Sequence, residues 1–157
     1  ISITKGGELY FSRGIDLDLA AELSNFAEGL GLEPEDARSL RLGAGLEGGE
    51  GSAAQLADML RDFADRLALE IQRSLDYYGS RYREAAIAKV YLSGEGARIR
   101  GLEAYLANVL GLEFEFFNPL HYLEVEEDAL EQMGELGEHI YEGLIALGAG
   151  LRVLEGA

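Results

Sequence analysis

A glycine-rich segment near the middle of the chain has the residue types best suited to binding a ligand. Residues Ser93 to Ala97 read Ser-Gly-Glu-Gly-Ala; they follow the apolar run Val90 to Leu92 and precede a stretch with helical periodicity. This order predicts a strand, a tight turn and a helix. Glycine permits positive φ and close approach of a ligand to the backbone, and free amides at a helix start favour anions. The turn is therefore a candidate nucleotide contact, while an ordinary βα connection explains the same residues and is the plainer interpretation of a short glycine motif.

The rest of the sequence offers few other groups for catalysis. It contains no cysteine, which excludes disulfides, thiol nucleophiles and cysteine-ligated zinc. Glu135 and His139 are spaced i, i+4, but no third ligand accompanies them, so we predict no structural metal. The Gly-x-Ser-x-Gly, His-Glu-x-x-His and Walker A patterns are absent.

The charge balance narrows the choice of partners. The 157 residues carry a formal net charge of −16, whereas a nucleic-acid backbone requires a basic face. An anionic membrane surface would repel the chain for the same reason. No apolar run approaches the roughly 20 residues of a membrane-spanning helix. We interpret the acidic run Glu124 to Asp128 as a solvated face, with docking of a basic partner as the alternative.

The N-terminal third predicts a hairpin followed by helices. Two β-prone runs, Ile1 to Ile3 and Glu8 to Phe11, flank a Lys-Gly-Gly turn. Asp18 is placed to cap a helix that begins at Leu19, and Gly31 is placed to end it in a left-handed conformation. Glu33 and Pro34 open a second helix that runs to about Leu42, because proline suits the first helical position.

The longest helix is predicted after a glycine-rich connection. Residues Gly43 to Ser52 contain five glycines and few apolar side chains, as expected for a connection. Ser52 is a plausible cap for a helix from Ala53 to about Tyr82. Its apolar positions recur at steps of three and four: Leu56, Leu60, Phe63, Leu67, Ile71, Leu75, Tyr78 and Tyr82. On its other side, Glu70 and Arg73 are predicted to form a surface ion pair.

The second half predicts a parallel crossover. After the Val90 strand, a helix over Ile99 to Leu110 ends at Gly111, and Glu113 to Phe117 forms a second strand. A helix between two strands of this spacing indicates a parallel return. A last amphipathic helix with many small residues is predicted over His139 to Leu154.

Several phrases of the sequence together carry a family resemblance. The chain resembles, over nearly its whole length, the second half of the actin-like ATPases, and within them the PilM family of type IV pilus assembly proteins. The phrases are Glu70 to Tyr78, Tyr91 to Arg98 with Gly101-Leu102, Gly111-Leu112, Asn118 to Leu120, and Ala146 to Arg152.

The resemblance implies an α/β fold. It implies a ribonuclease-H-like, actin-like half made of subdomains IIA and IIB, in which one mixed sheet carries the hairpin and both crossover strands, with helices on both faces. It also implies a division into a sheet-containing subdomain, residues 1–31 and 83–157, and a smaller helical lobe, residues 32–82, within one structural unit.

The resemblance also implies a binding site for the adenosine part of a nucleotide. It implies that Gly94, Glu95, Gly96 and Ala97 touch the nucleotide through their backbone. Arg38 and Arg41 take the places where a Glu-x-x-Lys pair usually faces ribose and adenine. The expected ligand is ATP with Mg²⁺, bound together with the other half of the protein. Two departures from the family pattern are Glu95 within the glycine turn and Arg38 in place of an acidic residue.

The resemblance implies that the protein is a cytoplasmic scaffold of the type IV pilus assembly platform. It also implies that partners such as PilN hold the protein at the inner membrane, and that this chain works together with the remaining half of the same protein. The phosphate loops of such proteins would lie upstream of Ile1, so we expect no ATP hydrolysis by this chain alone, whereas its parent is a possible weak ATPase. The alternative is a protein-interaction domain of a pilus or type II secretion platform whose nucleotide site has degenerated.

Overall fold

The computed structural model describes residues 1–31, 45–48, 50–82, 86–118 and 148–150. The predicted second helix, the acidic run Glu124 to Asp128 and both histidines lie outside these ranges. Of the predicted last helix, residues 148–150 are helical, and the rest lies outside as well. The elements in chain order are β1 (Ser2–Lys5), β2 (Glu8–Ser12), α1 (Leu19–Gly29), α2 (Ser52–Arg81), β3 (Val90–Leu92), a 3₁₀ helix (Glu95–Arg98), α3 (Leu102–Leu110) and β4 (Phe114–Phe116).

The predicted hairpin is confirmed. Strands β1 and β2 are antiparallel, and the turn glycines adopt positive φ, 58° at Gly6 and 82° at Gly7. The register shifts by one residue, which leaves Tyr10 as an extra residue on β2. The next residue, Phe11, packs its ring against Tyr77 of α2 at a centroid distance of 5.5 Å. The hairpin is therefore held against α2 by aromatic side chains.

The ends of α1 follow the predicted capping. The carboxylate of Asp18 accepts a hydrogen bond from the amide of Ala21 at 3.0 Å, and Gly31 adopts a φ of 69° just beyond the helix. Leu23 and Ala27 are the buried residues of this helix, so its apolar face is turned towards the core.

Helix α2 spans 30 residues, as predicted to within one residue at each end. Its N-cap is Gly51, with a φ of 62°, and Ser52 is the first helical residue. The prediction of Ser52 as the cap was therefore wrong by one position, because the glycine takes a backbone conformation that a serine adopts poorly. The predicted apolar stripe is confirmed at Leu56, Leu60 and Ile71, which are all buried.

The parallel crossover is also confirmed. Strands β3 and β4 pair in parallel, with Val90 opposite Phe114, and Gly111 ends α3 with a φ of 66°. However, α3 begins at Leu102 rather than at Ile99, because the chain first forms the 3₁₀ helix and then passes through Gly101 with a φ of 84°. The glycine turn and α3 are thus separate elements.

The prediction of one mixed sheet was wrong for the residues that the structure describes. They form two separate two-stranded sheets, β1–β2 and β3–β4. The hairpin packs on α2 through side chains, whereas the ladder of β3 is formed with β4. The fold is a mixed α/β arrangement of helices and small sheets, and its division into actin-like subdomains remains a prediction.

One hydrophobic core joins these elements. It contains residues of α1, α2, α3 and β4 together with the short segment at Leu46. Leu60 of α2 and Leu106 of α3 are both 0% exposed and lie in this core. The core draws side chains from both of the predicted lobes, 1–31 with 83–157 and 32–82, whose boundaries remain a prediction. Its members are Leu23, Leu46, Leu56, Leu60, Ala64, Ala68, Ile71, Ile99, Leu102, Leu106 and Phe114.

Candidate functional site

The glycine turn leaves β3 with an open backbone. Gly94 has a φ of 86° and a ψ of 175°, and a Cβ atom built on it would meet no atom within 4 Å. A residue with a side chain is strained at this φ, so the position favours glycine. A ligand can therefore approach the main chain at Gly94.

The next glycine lies beside α1. A Cβ atom built on Gly96 would lie 3.4 Å from Cδ2 of Leu19, the first residue of that helix. The turn and the start of α1 are therefore neighbours. The resemblance places the other side of an adenine site on the segment from Phe26 to Gly43, which starts within this helix.

Three amides near the turn are already bonded within it. Ala97 N–H donates to Gly94 O at 3.2 Å, Ile99 N–H to Gly96 O at 3.3 Å, and Leu102 N–H to Ile99 O at 3.1 Å. These donors are used by the 3₁₀ helix and by the entry to α3. The expectation of free amides for an anion is therefore not met at these positions, and Ala97 is left with its carbonyl and methyl groups for contact with a ligand.

A cavity of about 500 Å³ lies beside the turn. The cavity is open to solvent, so it is shallower than the pockets of about 300–1,000 Å³ that bury most of a small ligand. It combines apolar and aromatic groups with two arginines and one carboxylate. The lining residues are Ala97, Arg98, Ile99, Arg100, Gly101, Glu103, Ala104 and Phe116.

Most of this lining was not predicted. Among the predicted nucleotide contacts that the structure describes, Ala97 lines the cavity. Arg98 and Arg100 are exposed on either side of Ile99, which is 4% exposed and anchored in the core. That alternation is visible in the sequence and could have identified the two arginines. Phe116 has no such local signal, because the pairing of β3 with β4 brings it to the turn.

The lining contains groups that suit a nucleoside, beside two arginines and one carboxylate. The aromatic ring of Phe116 and the methyl group of Ala104 suit a flat purine, and glycine at position 94 allows close approach to the backbone. Among the described residues, no group of three or more histidines and carboxylates is arranged to hold a metal ion.

Other predicted site residues cannot be placed. Arg38 and Arg41 lie outside the described residues, and so does the side chain of Glu95, whose backbone belongs to the 3₁₀ helix.

An ion-pair cluster supports the sheet that leads into the turn. Lys89 Nζ lies 2.7 Å from Glu113 Oε1 and 2.8 Å from Glu115 Oε2. The hydrogen bonds that Lys89 donates to the carboxylates of Glu113 and Glu115 raise its pKa above the ordinary value. This cluster joins the residue before β3 to β4 and was not predicted from the sequence.

The described residues contain no helix with both the length and the apolar character needed to cross a membrane.

Comparison with known proteins gives the family. No curated protein matches the chain. A solved structure described as the "PilM-PilN type IV pilus biogenesis complex" is similar to it, with a TM-score of 0.67 and 26% sequence identity. The similarity covers 94% of this chain and 40% of that one, so the chain spans less than half of the length of this relative. The family model for the type IV pilus assembly protein PilM matches residues 1–154. The chain therefore belongs to the PilM family of type IV pilus assembly proteins.

Proposed function

We propose that this chain contributes the adenosine side of a nucleotide cleft in a PilM-like scaffold protein of the type IV pilus assembly platform. The observation that carries the proposal is the open glycine turn at Gly94 beside the cavity of about 500 Å³ that Ala97 lines. Membership of the PilM family supports the pilus context.

The chemistry of the cavity supports adenosine rather than the phosphates as the part recognised here. Phe116 and Ala104 offer apolar surface to the purine, and the backbone at Gly94 can approach the ribose closely. The amides of Ala97 and Leu102 are bonded internally and are not available to a phosphate. Bound ATP would supply a polyphosphate with Mg²⁺, which we assign to the remaining half of the protein. Turnover, if the parent has any, would depend on that half.

The scaffold role rests on partners outside this chain. The similar structure is named as a complex of PilM with PilN, which supports PilN as a partner of the parent protein. We propose that such partners hold the parent at the cytoplasmic side of the inner membrane. No residue of this chain is assigned to the contact with PilN.

Calorimetric titration with adenosine and with Mg-ATP tests the proposal. The ligands are added to this chain and to a version extended upstream through the two phosphate loops. A variant that fills the cavity, Ala104→Trp, is compared with Val109→Trp on the same helix. Ala104 is exposed and lines the cavity, whereas Val109 is 49% exposed and does not line it.

We expect Ala104→Trp to weaken binding at least tenfold, which corresponds to about 1.4 kcal/mol. Val109→Trp should bind like the original chain, and circular dichroism should show both variants folded. Equal binding by the two variants would show that the ligand does not bind in this cavity. No heat from the folded extended protein at millimolar Mg-ATP would refute the nucleotide proposal and favour the interaction domain without a nucleotide.

A further inference from the structure

Two consecutive residues of α2 each contact a different helix beside the candidate nucleotide site. Arg66 Nη2 lies 2.5 Å from Glu22 Oε2 of α1. Asp65 accepts a hydrogen bond from the hydroxyl group of Tyr105 of α3. Consecutive residues of an α-helix point about 100° apart, so one turn of α2 can contact both helices. We call Asp65 and Arg66 the α2 pair.

The contact of Arg66 is made to the helix that adjoins the glycine turn. Glu22 comes three residues after Leu19 in α1, so the two side chains lie on the same side of the helix. Leu19 is the neighbour of Gly96 in the glycine turn, and it also packs against the hydrophobic core. Arg66 therefore holds the turn of α1 that lies beside the glycine turn.

The contact of Asp65 is made to the helix that lines the cavity. Gly101 and Ala104 line the cavity, and Tyr105 follows directly after them. The Tyr105 N–H donates to Gly101 O at 2.9 Å, at the start of α3. The side chain of Tyr105 packs against the hydrophobic core, and its hydroxyl group reaches Asp65. Asp65 thus holds the first turn of α3, which forms one wall of the cavity.

Other contacts restrict Arg66 before it reaches α1. Its Nε donates to Asp62 O at 3.2 Å, and its guanidinium carbon lies 5.9 Å from the ring centroid of Phe63, which is buried. A side chain that is already held in this way loses less entropy when it pairs with Glu22 than a freely moving arginine would. The ion pair is therefore better suited to fixing a position than an isolated surface pair.

We propose that Asp65 and Arg66 are positioning residues for the adenosine cavity, because together they hold the cavity wall on α3 and the support of the glycine turn on α1. This inference rests on the proposed nucleotide function. Neither residue is among those that line the cavity, so both act through the helices that they contact. Loss of either contact should let one helix shift against α2, and the cavity would then fit the purine less well.

Calorimetric titration of the extended protein with adenosine tests the proposal. Arg66→Ala removes the contact with α1, and Tyr105→Phe removes the contact with α3 while it keeps the ring. The matched control is Arg61→Ala, because the ion pair of Arg61 with Asp58 lies within α2. We expect Arg66→Ala and Tyr105→Phe each to weaken binding about threefold, and the double variant about tenfold. Arg61→Ala should leave binding unchanged.

Further variants separate a positioning role from a general loss of stability. Glu22→Ala combined with Arg66→Ala should bind adenosine no more weakly than either single variant, because the two residues act through one ion pair. Asp65→Asn keeps an acceptor for the hydroxyl group of Tyr105 and should bind adenosine more tightly than Asp65→Ala.

Amide hydrogen exchange provides a measurement that needs no ligand. The amides of Ala97 and Leu102 are bonded within the turn and the entry to α3. Both should exchange faster in the double variant Arg66→Ala with Tyr105→Phe than in Arg61→Ala. The amide of Leu60, in the buried part of α2, should exchange equally in the two proteins.

The possible results distinguish this proposal from the proposed function. Equal adenosine affinity of the double variant and of Arg61→Ala, with both proteins folded by circular dichroism, would overturn the positioning role and leave the nucleotide function standing. No binding of adenosine by the original extended protein would overturn both. Weaker binding without faster exchange at Ala97 and Leu102 would also refute the positioning role, because the helices would not have moved.

Discussion

The contact between Gly45 and Arg100 gives a sharp test of the packing beside the candidate nucleotide site. The two residues form a parallel bridge, and Leu46 N–H donates to Arg100 O at 2.9 Å. A Cβ atom built on Gly45 would lie 2.8 Å from Arg100 Cβ and 2.9 Å from Arg100 O. Because one of these atoms is backbone, Gly45→Ala forces the chain at Arg100, a wall of the cavity, to move.

The size of the effect follows from two opposing terms. Crowding of this kind costs typically about 1–3 kcal/mol. Replacing glycine by alanine also reduces the entropy of the unfolded chain, which stabilises by about 0.4–1 kcal/mol where the backbone conformation permits. Gly45 does not have a left-handed φ, so this gain applies. We expect Gly45→Ala to lower the free energy of unfolding by about 1.3 kcal/mol, within a range of about 0–2.6 kcal/mol that the two terms allow.

Gly48→Ala is the matched control from the same segment. Its Cβ atom would lie 3.7 Å or more from its neighbours, which is ordinary contact. The entropic gain is the same for both substitutions, so the difference between the two variants isolates the crowding term of about 1–3 kcal/mol. Urea unfolding followed by far-UV circular dichroism measures it, and the dependence on urea should be equal in the two variants. Equal midpoints would show that Arg100 adjusts without cost and would refute the close packing at Gly45.

Two further predictions concern local hydrogen bonds. Asp18→Ala removes the carboxylate that accepts a hydrogen bond from the Ala21 amide, and it should lower the free energy of unfolding, measured in urea, by about 0.5–2 kcal/mol. The control is Asp16→Ala, at an exposed position outside the helix, which should change that free energy by less than about 0.5 kcal/mol. Equal effects of the two substitutions would contradict the capping role of Asp18. Tyr105 donates its hydroxyl hydrogen to Asp65, and this bond, with burial, raises the pKa of Tyr105. Because the pKa of Tyr105 is higher in the folded chain, its hydrogen bond adds stability below the unfolded pKa of about 10, and this stability is lost as the pH rises through the folded pKa. The Tyr105→Phe variant should therefore be less stable than the original chain at neutral pH. The difference in the free energy of unfolding should shrink in alkaline solution. A difference that does not change with pH would contradict this assignment.

Features decided by a single residue could be predicted from the sequence. Gly6 and Gly7 had to form a turn because the flanking runs are β-prone, and Gly111 had to end a helix because it follows the last apolar position. Asp18 could be predicted as a helix cap because its carboxylate directly precedes a clear apolar repeat. Helix α2 was predictable in length because its apolar period persists for about eight turns.

Features decided by contacts between distant residues could not be predicted. Arg13 and Glu70 are 57 positions apart, and no local pattern shows that they meet. The hairpin forms a sheet separate from the β3–β4 sheet, and its residue Phe11 packs against Tyr77 of α2. That contact also joins residues far apart in the sequence, so no local pattern shows it. The start of α3 was misplaced because the periodicity at Ile99 is equally compatible with a buried residue in a 3₁₀ connection.

The internal bonding of the turn explains how a short glycine motif can belong to a nucleotide site without binding phosphate. A phosphate loop presents unpaired amides to the anion. Here the amides of Ala97, Ile99 and Leu102 bond to carbonyls of the turn and of the entry to α3, and the turn lies next to the start of α1 at Gly96. What remains available is an open stretch of main chain at Gly94 and a cavity whose apolar groups can discriminate by shape and whose charged groups are two arginines and one carboxylate. Since the bonded amides do not hold the phosphates, we expect adenosine to supply most of the affinity of this chain. In the calorimetric titration, the difference between adenosine and Mg-ATP measures what the two arginines add, and the extended protein measures what the other half adds.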